Sequence, residues 1–248
     1  MSAMKERISV QQAKWSAPPH VNAVTTYRYG GVSRNSFGSL NLASHVGDNH
    51  TAVIENRARL CRYMGLIEEP IWLNQVHGCR VIQANVVMRD GIADGSYTTQ
   101  NGIICAVLTA DCLPLFLTDT GGTIVCLLHV GWRGLVAGII ESGIAAIDTE
   151  PAKLLVWLGP CIRKAAYIVG EDVREQLIHS FPEHTTALKE INGKWRADLG
   201  KMAQQRLNSL GVTAIWDSRS CTYTDDSSWF SYRRQKHCGR MASLIWLD

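Results

Sequence analysis

A chain of 248 residues in which 46% of the side chains are hydrophobic can bury one large core, and nothing in its composition argues for a second. The 25 Lys and Arg against 22 Asp and Glu are scattered and form no run, which gives no warrant for nucleic acid as a partner. No apolar run approaches the roughly 18 residues of a membrane span, and residues 1–17, with Lys5, Glu6, Arg7 and Lys14, lack the apolar centre of a signal peptide, so a cytoplasmic protein acting on a small molecule is expected.

A strand over residues 21–27 leads into a glycine-bearing loop, residues 30–48. His50–Met64 reads as a helix, because Asp48 or Asn49 can accept its first free backbone N–H groups and Gly65 can take the left-handed turn that ends it. Val53, Ile54, Leu60, Cys61 and Met64 make one apolar stripe, and Arg57 falls on it. The middle of the chain is richest in strands. Residues 103–108 and 113–118 flank the polar interruption Thr109-Ala110-Asp111-Cys112, and Asp119-Thr120-Gly121-Gly122 turns the chain into a run over 123–130. These runs are apolar on both faces, as in a sheet covered on each side. One helix is expected over 133–147, then a strand over 153–157, helices over 171–180 and 198–210, and strands over 213–216 and 241–246. Strands joined both by hairpins and by helices predict an α/β chain of the α+β type: a mixed β-sheet with helices packed on it in layers, in a single large domain over residues 1–248.

Eight cysteines, at 61, 79, 105, 112, 126, 161, 221 and 238, form no C-x-x-C pair and read as reduced thiols. Cys105 and Cys126 lie in apolar runs, where a thiol behaves as a small hydrophobe. Cys112 differs in its surroundings. Together with His77 and His129 it interrupts apolar or tightly turned backbone at a strand end, where sheet enzymes collect functional groups. Two imidazoles and a thiolate match a catalytic zinc site that leaves a fourth position open. Their spacing fits no local motif, and each residue alone would equally serve as hydrogen-bonded core. Similarly, Gly131-Trp132-Arg133-Gly134 either presents backbone N–H groups to an anion or simply lets strand and helix pack closely. Arg57, on an apolar stripe, needs either a carboxylate or a substrate phosphate as partner.

Gln75-Val76-His77-Gly78, Thr109-Ala110-Asp111-Cys112-Leu113-Pro114, His129-Val130-Gly131-Trp132-Arg133-Gly134, Leu158-Gly159-Pro160 and Phe230-Ser231-Tyr232-Arg233-Arg234, with Ser39-Leu40-Asn41-Leu42 and Gly47-Asp48-Asn49 before them, occur in order along the chain. Together they resemble the blocks of the multicopper polyphenol oxidoreductase, or laccase-domain, proteins, also known as the YfiH or YlmD family. The resemblance implies a three-layer mixed α/β fold and zinc held by His77, Cys112 and His129. It further implies phosphorolysis of adenosine, inosine and methylthioadenosine, with purine nucleoside and phosphate as substrates, and adenosine deamination. Arg57 and Asp94 take catalytic places in it, and Asn41, Gln75, Arg133, Cys221 and Arg233 substrate-binding ones. A link to peptidoglycan precursor editing also comes with the family, and no residue here derives it.

Rival chemistries divide on the same residues. A four-copper oxidase needs paired His-x-His motifs, and the eight histidines contain none, although a Cys/His₂ site could take up one copper in vitro and oxidise phenols weakly. Without metal, Cys112 as nucleophile and His129 as base would make a cysteine hydrolase or deamidase. A nucleotide- or cell-wall-sensing binding module would leave the open metal position without use. In the zinc reading, metal-activated water attacks a purine C6 while Asp94 moves protons; for phosphorolysis, Arg57 and residues 131–134 orient phosphate against the ribose C1′.

Overall fold

The computed structural model describes residues 7–85 and 91–248. Strands β1 (Val10–Gln12) and β2 (Val21–Thr26) precede α1 (His50–Met64), and β3 (Val81–Gln83), β4 (Gly95–Thr98), β5 (Cys105–Thr109), β6 (Leu113–Asp119) and β7 (Val125–Val130) follow. Then come α2 (Trp132–Val136), α3 (Ile139–Ile147), β8 (Leu154–Leu158), β9 (Ile168–Val169) and α4 (Glu171–Ser180). Finally β10 (Leu188–Ile191), β11 (Lys194–Ala197), α5 (Leu199–Ser209), β12 (Ala214–Asp217) and β13 (Met241–Leu247) close the chain. Among the described residues no helix is long and apolar enough to cross a membrane.

The mixed α/β architecture with helices in layers is as expected, distributed over three sheets. A four-stranded antiparallel sheet has the order β1-β2-β13-β5, and a six-stranded mixed sheet runs β12-β8-β6-β7-β4-β3, its outer pairs β12–β8 and β3–β4 parallel. A small sheet, β10-β11-β9, stands apart. Side chains alternate across each strand, and the alternation assigns every core residue to a layer. Cys105 and Val107 of β5 and Ile245 and Leu247 of β13 meet Phe116, Val125, Leu127 and Trp157 between the two large sheets. On the outer face of the smaller of these, Ala106, Leu108, Ala242 and Leu244 pack with Leu60 of α1 and with Leu40 and Leu42. On the outer face of the larger one, Leu115, Leu128 and Val156 pack with Ile139 and Ile140 of α3 and Met202 and Leu207 of α5. Two sheets back to back between two helical coverings give four layers, one more than the resemblance implies. Each fully buried Leu in these layers contributes about 1.5–3 kcal/mol.

Local signals placed α1 well. The Asn49 side chain accepts from Ala52 N–H at 3.0 Å, and Gly65 turns out at φ 66°. The single helix expected over 133–147 is two: Gly138, at φ 86°, turns the chain so that α3 can lie flat on β7. Gly143 of α3 has no Cβ because one would fall 2.5 Å from Leu128 Cδ1. The short strands β1, β3, β4 and β9–β11 are too brief for alternation to mark them.

Candidate metal and substrate site

Two loops and a strand end meet at one end of the two large sheets. His77 precedes β3 in a left-handed conformation (φ 60°), Cys112 lies in the turn between β5 and β6, and His129 is the penultimate residue of β7. Their ligand atoms all lie within 4.8 Å of one another, with His77 Nε2 3.9 Å from Cys112 Sγ. Zinc bond lengths of 2.0–2.3 Å set tetrahedral ligands roughly 3.3–3.8 Å apart, so a small closure completes the site. His129 is buried, Cys112 half-buried and His77 exposed, which leaves the group open on one side.

Asp94 assembles this group. Its fully buried carboxylate accepts the backbone N–H of Val76 (3.2 Å), His77 (2.9 Å) and Gly78 (2.7 Å), and it meets His129 Nδ1 at 2.9 Å. Its backbone carbonyl accepts His129 N–H at 2.7 Å. Nδ1 is thereby committed to the carboxylate, and Nε2 is left for the other two side chains, as in a carboxylate–histidine–metal arrangement. Burial pushes the Cys112 thiol up, but the imidazolium of His129 and hydrogen bonds from His129 and His77 outweigh it, so the thiol is lowered to about 6. For His129 burial acts downward, and the Cys112 thiolate and Asp94 more than reverse it. A thiolate with two imidazoles is a donor set suited to a borderline-soft divalent cation, and the residues fit such an ion. The next residue after β7 confirms how tightly they are gathered: a Cβ on Gly131 would lie 3.1 Å from Cys112 Sγ and 3.2 Å from His77 Cδ2.

The open side faces a cavity of about 470 Å³, an ordinary volume for a small-molecule pocket. Gln75, Arg133 and Arg233 line it, with Arg240, Trp132, Tyr167 and Tyr232. Each arginine is coupled to an aromatic ring: Arg133 over Trp132 at 4.4 Å, Arg233 over Tyr167 at 5.2 Å and Arg240 over Tyr232 at 5.7 Å. Among the described residues none of these three guanidinium groups lies within 4.0 Å of a carboxylate, and one terminal nitrogen of Arg233 donates to the Ile168 carbonyl and one of Arg240 to the carbonyls of Cys238 and Gly239. Gln75 is itself clamped to Leu108, accepting its N–H at 2.7 Å and donating to its carbonyl at 3.0 Å. Asp111 at the wall is already engaged, accepting from Thr222 Oγ1 (2.7 Å) and Arg233 N–H (2.6 Å).

Four residues assigned to the site by resemblance stand outside the cavity wall. Asp94 lies behind His129, and its carboxylate is occupied as described, so it acts through the histidine. Asn41, fully buried, holds backbone: it bonds Ala43, the Asp48 carboxylate and the N–H of Arg240. Cys221 lies opposite Cys161 in an isolated bridge. Arg57 donates from Nε to the Leu42 carbonyl (3.0 Å), stacks on Trp72 at 4.2 Å and stands 4.0 Å from Glu69. A guanidinium so engaged satisfies its stripe position structurally. Arg57→Ala is therefore expected to lower stability by about 1–2 kcal/mol and to leave turnover per folded molecule unchanged, as read from the thermal midpoint and the rate on one preparation.

Thr109 carries the opposite message, and sequence reading passed over it as part of a polar interruption. It lines the cavity, is 1% exposed, and its hydroxyl has no partner among the described residues. By alternation it follows Cys105 and Val107 on the face turned towards the other sheet, the face from which His129 follows Val125 and Leu127.

A family model described as multi-copper polyphenol oxidoreductase laccase matches residues 22–248. Purine nucleoside phosphorylase YfiH of Escherichia coli (strain K12) is 43% identical over 235 residues, covering 94% of this chain and 97% of its own length. Purine nucleoside phosphorylase PA4543 of Pseudomonas aeruginosa is likewise 43% identical over 238 residues, 94% and 96% of the two lengths. Among solved structures, protein NMB0706 of Neisseria meningitidis superposes with a TM-score of 0.92 at 41% identity, covering 96% of this chain and 99% of that one. YlmD from Geobacillus stearothermophilus superposes with a TM-score of 0.86 at 29% identity, covering 92% of each chain.

Proposed function

This chain belongs to the multi-copper polyphenol oxidoreductase laccase family, and from that premise we propose that it is a metal-dependent purine nucleoside phosphorylase acting as one domain over residues 1–248. The observation that carries the reading is the cavity itself, with three arginines free of carboxylates and three aromatic rings beside a His/Cys/His group. His77, Cys112 and His129 would hold the metal, with zinc the ion best matched to the donors, and when bound it supplies a Lewis acid that polarises oxygen. Arg133, Arg233 and Arg240 bind phosphate and neutralise it where it approaches the ribose C1′. Trp132, Tyr167 and Tyr232 offer ring faces to the purine. Adenosine, inosine and methylthioadenosine all present that base. Adenosine deamination would use the same pocket with water in place of phosphate.

Four-copper oxidation does not fit this chain. Among the described residues the His77, Cys112 and His129 group is the one cluster of its kind, and the histidines contain no His-x-His. One copper at that group could give weak phenol oxidation. A metal-free cysteine hydrolase remains the second reading, favoured by the Cys112–His129–Asp94 alignment, which is that of a nucleophile, its base and an orienting carboxylate. Protein purified without added metal decides between them. Expected are about one metal per chain and release of base and ribose 1-phosphate from adenosine and inosine that depends on phosphate, with Arg133→Ala and Arg233→Ala each raising the apparent phosphate KM roughly ten- to a hundredfold. Cleavage indifferent to phosphate would overturn the phosphorylase reading.

The unpartnered Thr109 hydroxyl gives a further expected result. Thr109→Val removes one polar atom at nearly constant volume, so the thermal midpoint should hold or rise while KM for the nucleoside increases about fivefold to tenfold, as for one lost hydrogen bond. An unchanged KM would mean that the hydroxyl meets no substrate atom.

A further inference from the structure

Behind the cavity wall, two cysteines face each other that the proposed reaction does not use. Cys161, just past β8, forms an isolated parallel bridge with Cys221: Cys161 N–H donates to Ser220 O at 3.4 Å, and Thr222 N–H donates to Cys161 O at 3.1 Å. The two α-carbons thus stand one ladder step apart. Neighbouring strands lie about 4.8 Å apart, within the roughly 4.4–6.8 Å that a disulfide spans. Opposed residues in a parallel pair project to the same face, and the charge of Cys221 acts to raise the Cys161 thiol. Their surroundings differ. Cys161 is wholly buried, and burial pushes its thiol up to about 12. Cys221 is half-buried and lies among the polar groups of Thr224, Arg163 and Tyr223, which act to lower its thiol. Burial alone would raise this thiol, but those groups together lower it, so the more accessible sulfur has the greater thiolate character.

We propose that Cys221 and Cys161 form a peroxide-oxidisable pair, Cys221 being the sulfur oxidised first and Cys161 the one that resolves it to a disulfide. The Cys221 thiolate attacks one oxygen of hydrogen peroxide, the O–O bond breaks, and hydroxide leaves with Cys221 as sulfenic acid. Cys161 then attacks the Cys221 sulfur; the S–O bond breaks, its oxygen takes the Cys161 proton, and water departs as the S–S bond forms. Two electrons pass from the two sulfurs to peroxide. Holding Cys161 one ladder step away supplies the effective concentration that compensates for its weak acidity.

The new bond would reach the site through Asp111, which precedes Cys112. Ile162, beside Cys161 and part of the cavity wall, donates its N–H to the Asp111 carbonyl at 2.9 Å, and Thr222, beside Cys221, holds the Asp111 carboxylate. Oxidation is expected to reduce turnover severalfold, with recovery on adding dithiothreitol.

The test treats metal-loaded full-length protein with a small excess of hydrogen peroxide, digests it with trypsin without reduction, and maps the peptides by mass spectrometry. Residues 154–163 and 220–233 are tryptic peptides carrying one cysteine each, Cys161 and Cys221. The expected product joins these two peptides, is absent in Cys221→Ser, and is replaced in Cys161→Ala by a dimedone-trapped sulfenic acid at Cys221. Should Cys161→Ala fail to fold, the wild-type map decides alone. Absence of the linked peptide in the wild type overturns the proposal, whether Cys221 stays a thiol or runs on to sulfinic acid.

Discussion

Cys112→Ala is expected to abolish metal binding and catalytic activity in a single step while the chain remains folded. The thiolate would be the only anionic ligand of the three, and the two imidazoles left behind would hold a divalent ion poorly. Zinc held by a full ligand set is bound by about 10–16 kcal/mol; shared among three ligands this is about 3–5 kcal/mol each, or two to four orders of magnitude in affinity. Removing a half-buried sulfur costs the fold itself little, since His77 and His129 keep their Asp94 supports. Metal content, turnover and thermal midpoint measured on one preparation should show the first two fall together. Cys61→Ala, on the helix α1 away from the cavity, should change stability alone. Activity that survives in metal-free wild type and disappears on alkylation of Cys112 would favour the cysteine nucleophile instead.

Asp94→Asn is expected to be the most damaging substitution outside the ligands. The buried carboxylate receives three backbone N–H groups and the Nδ1 of His129. An amide has one acceptor oxygen where the carboxylate has two, so its NH₂ must point at another donor. With hydrogen bonds to a buried charge worth about 1.5–3 kcal/mol each, a loss of about 3 kcal/mol in stability follows. The His77 loop and the His129 tautomer are released together, and metal affinity should drop roughly ten- to a hundredfold. A pH signature separates this from general damage. Burial acts to raise the Asp94 carboxyl, but the hydrogen bonds from His129, Gly78 and His77 hold it below its ordinary value. A depressed folded-state value means that its stabilisation is present above the unfolded carboxylate range, about pH 4, and is lost as pH falls through the lower folded value. That part of the acid-induced loss should vanish in the Asn variant. A variant with wild-type metal affinity and an unchanged acid limb would remove Asp94 from its organising role.

Local chemistry made much of this molecule readable from the chain alone. The caps of α1, the apolar runs that became β5 to β7 and β13, and the bounds of α4 all follow from interactions between residues a few positions apart, so they leave a periodic or terminal mark in the sequence. The grouping of His77, Cys112 and His129, whose ligand atoms lie within 4.8 Å of one another, was legible for a related reason: a ligand-type side chain at the end of an apolar strand is out of place locally. What the side chains outside that triad do was decided in three dimensions. Arg57 was unusual by position, yet its partners, Leu42, Trp72 and Glu69, come from loops that only folding brings to it. Asn41 turned out to support the Arg240 backbone 199 residues away, and Asp94 to tie together His77 and His129, 17 and 35 residues from it. Thr109 became conspicuous only when the face it shares with His129 was known to border a cavity. Helix and strand signals decay within a turn or two of chain, whereas a cavity wall is assembled from sheet order and register, which arise from the packing of distant segments and leave no periodic trace in any one of them.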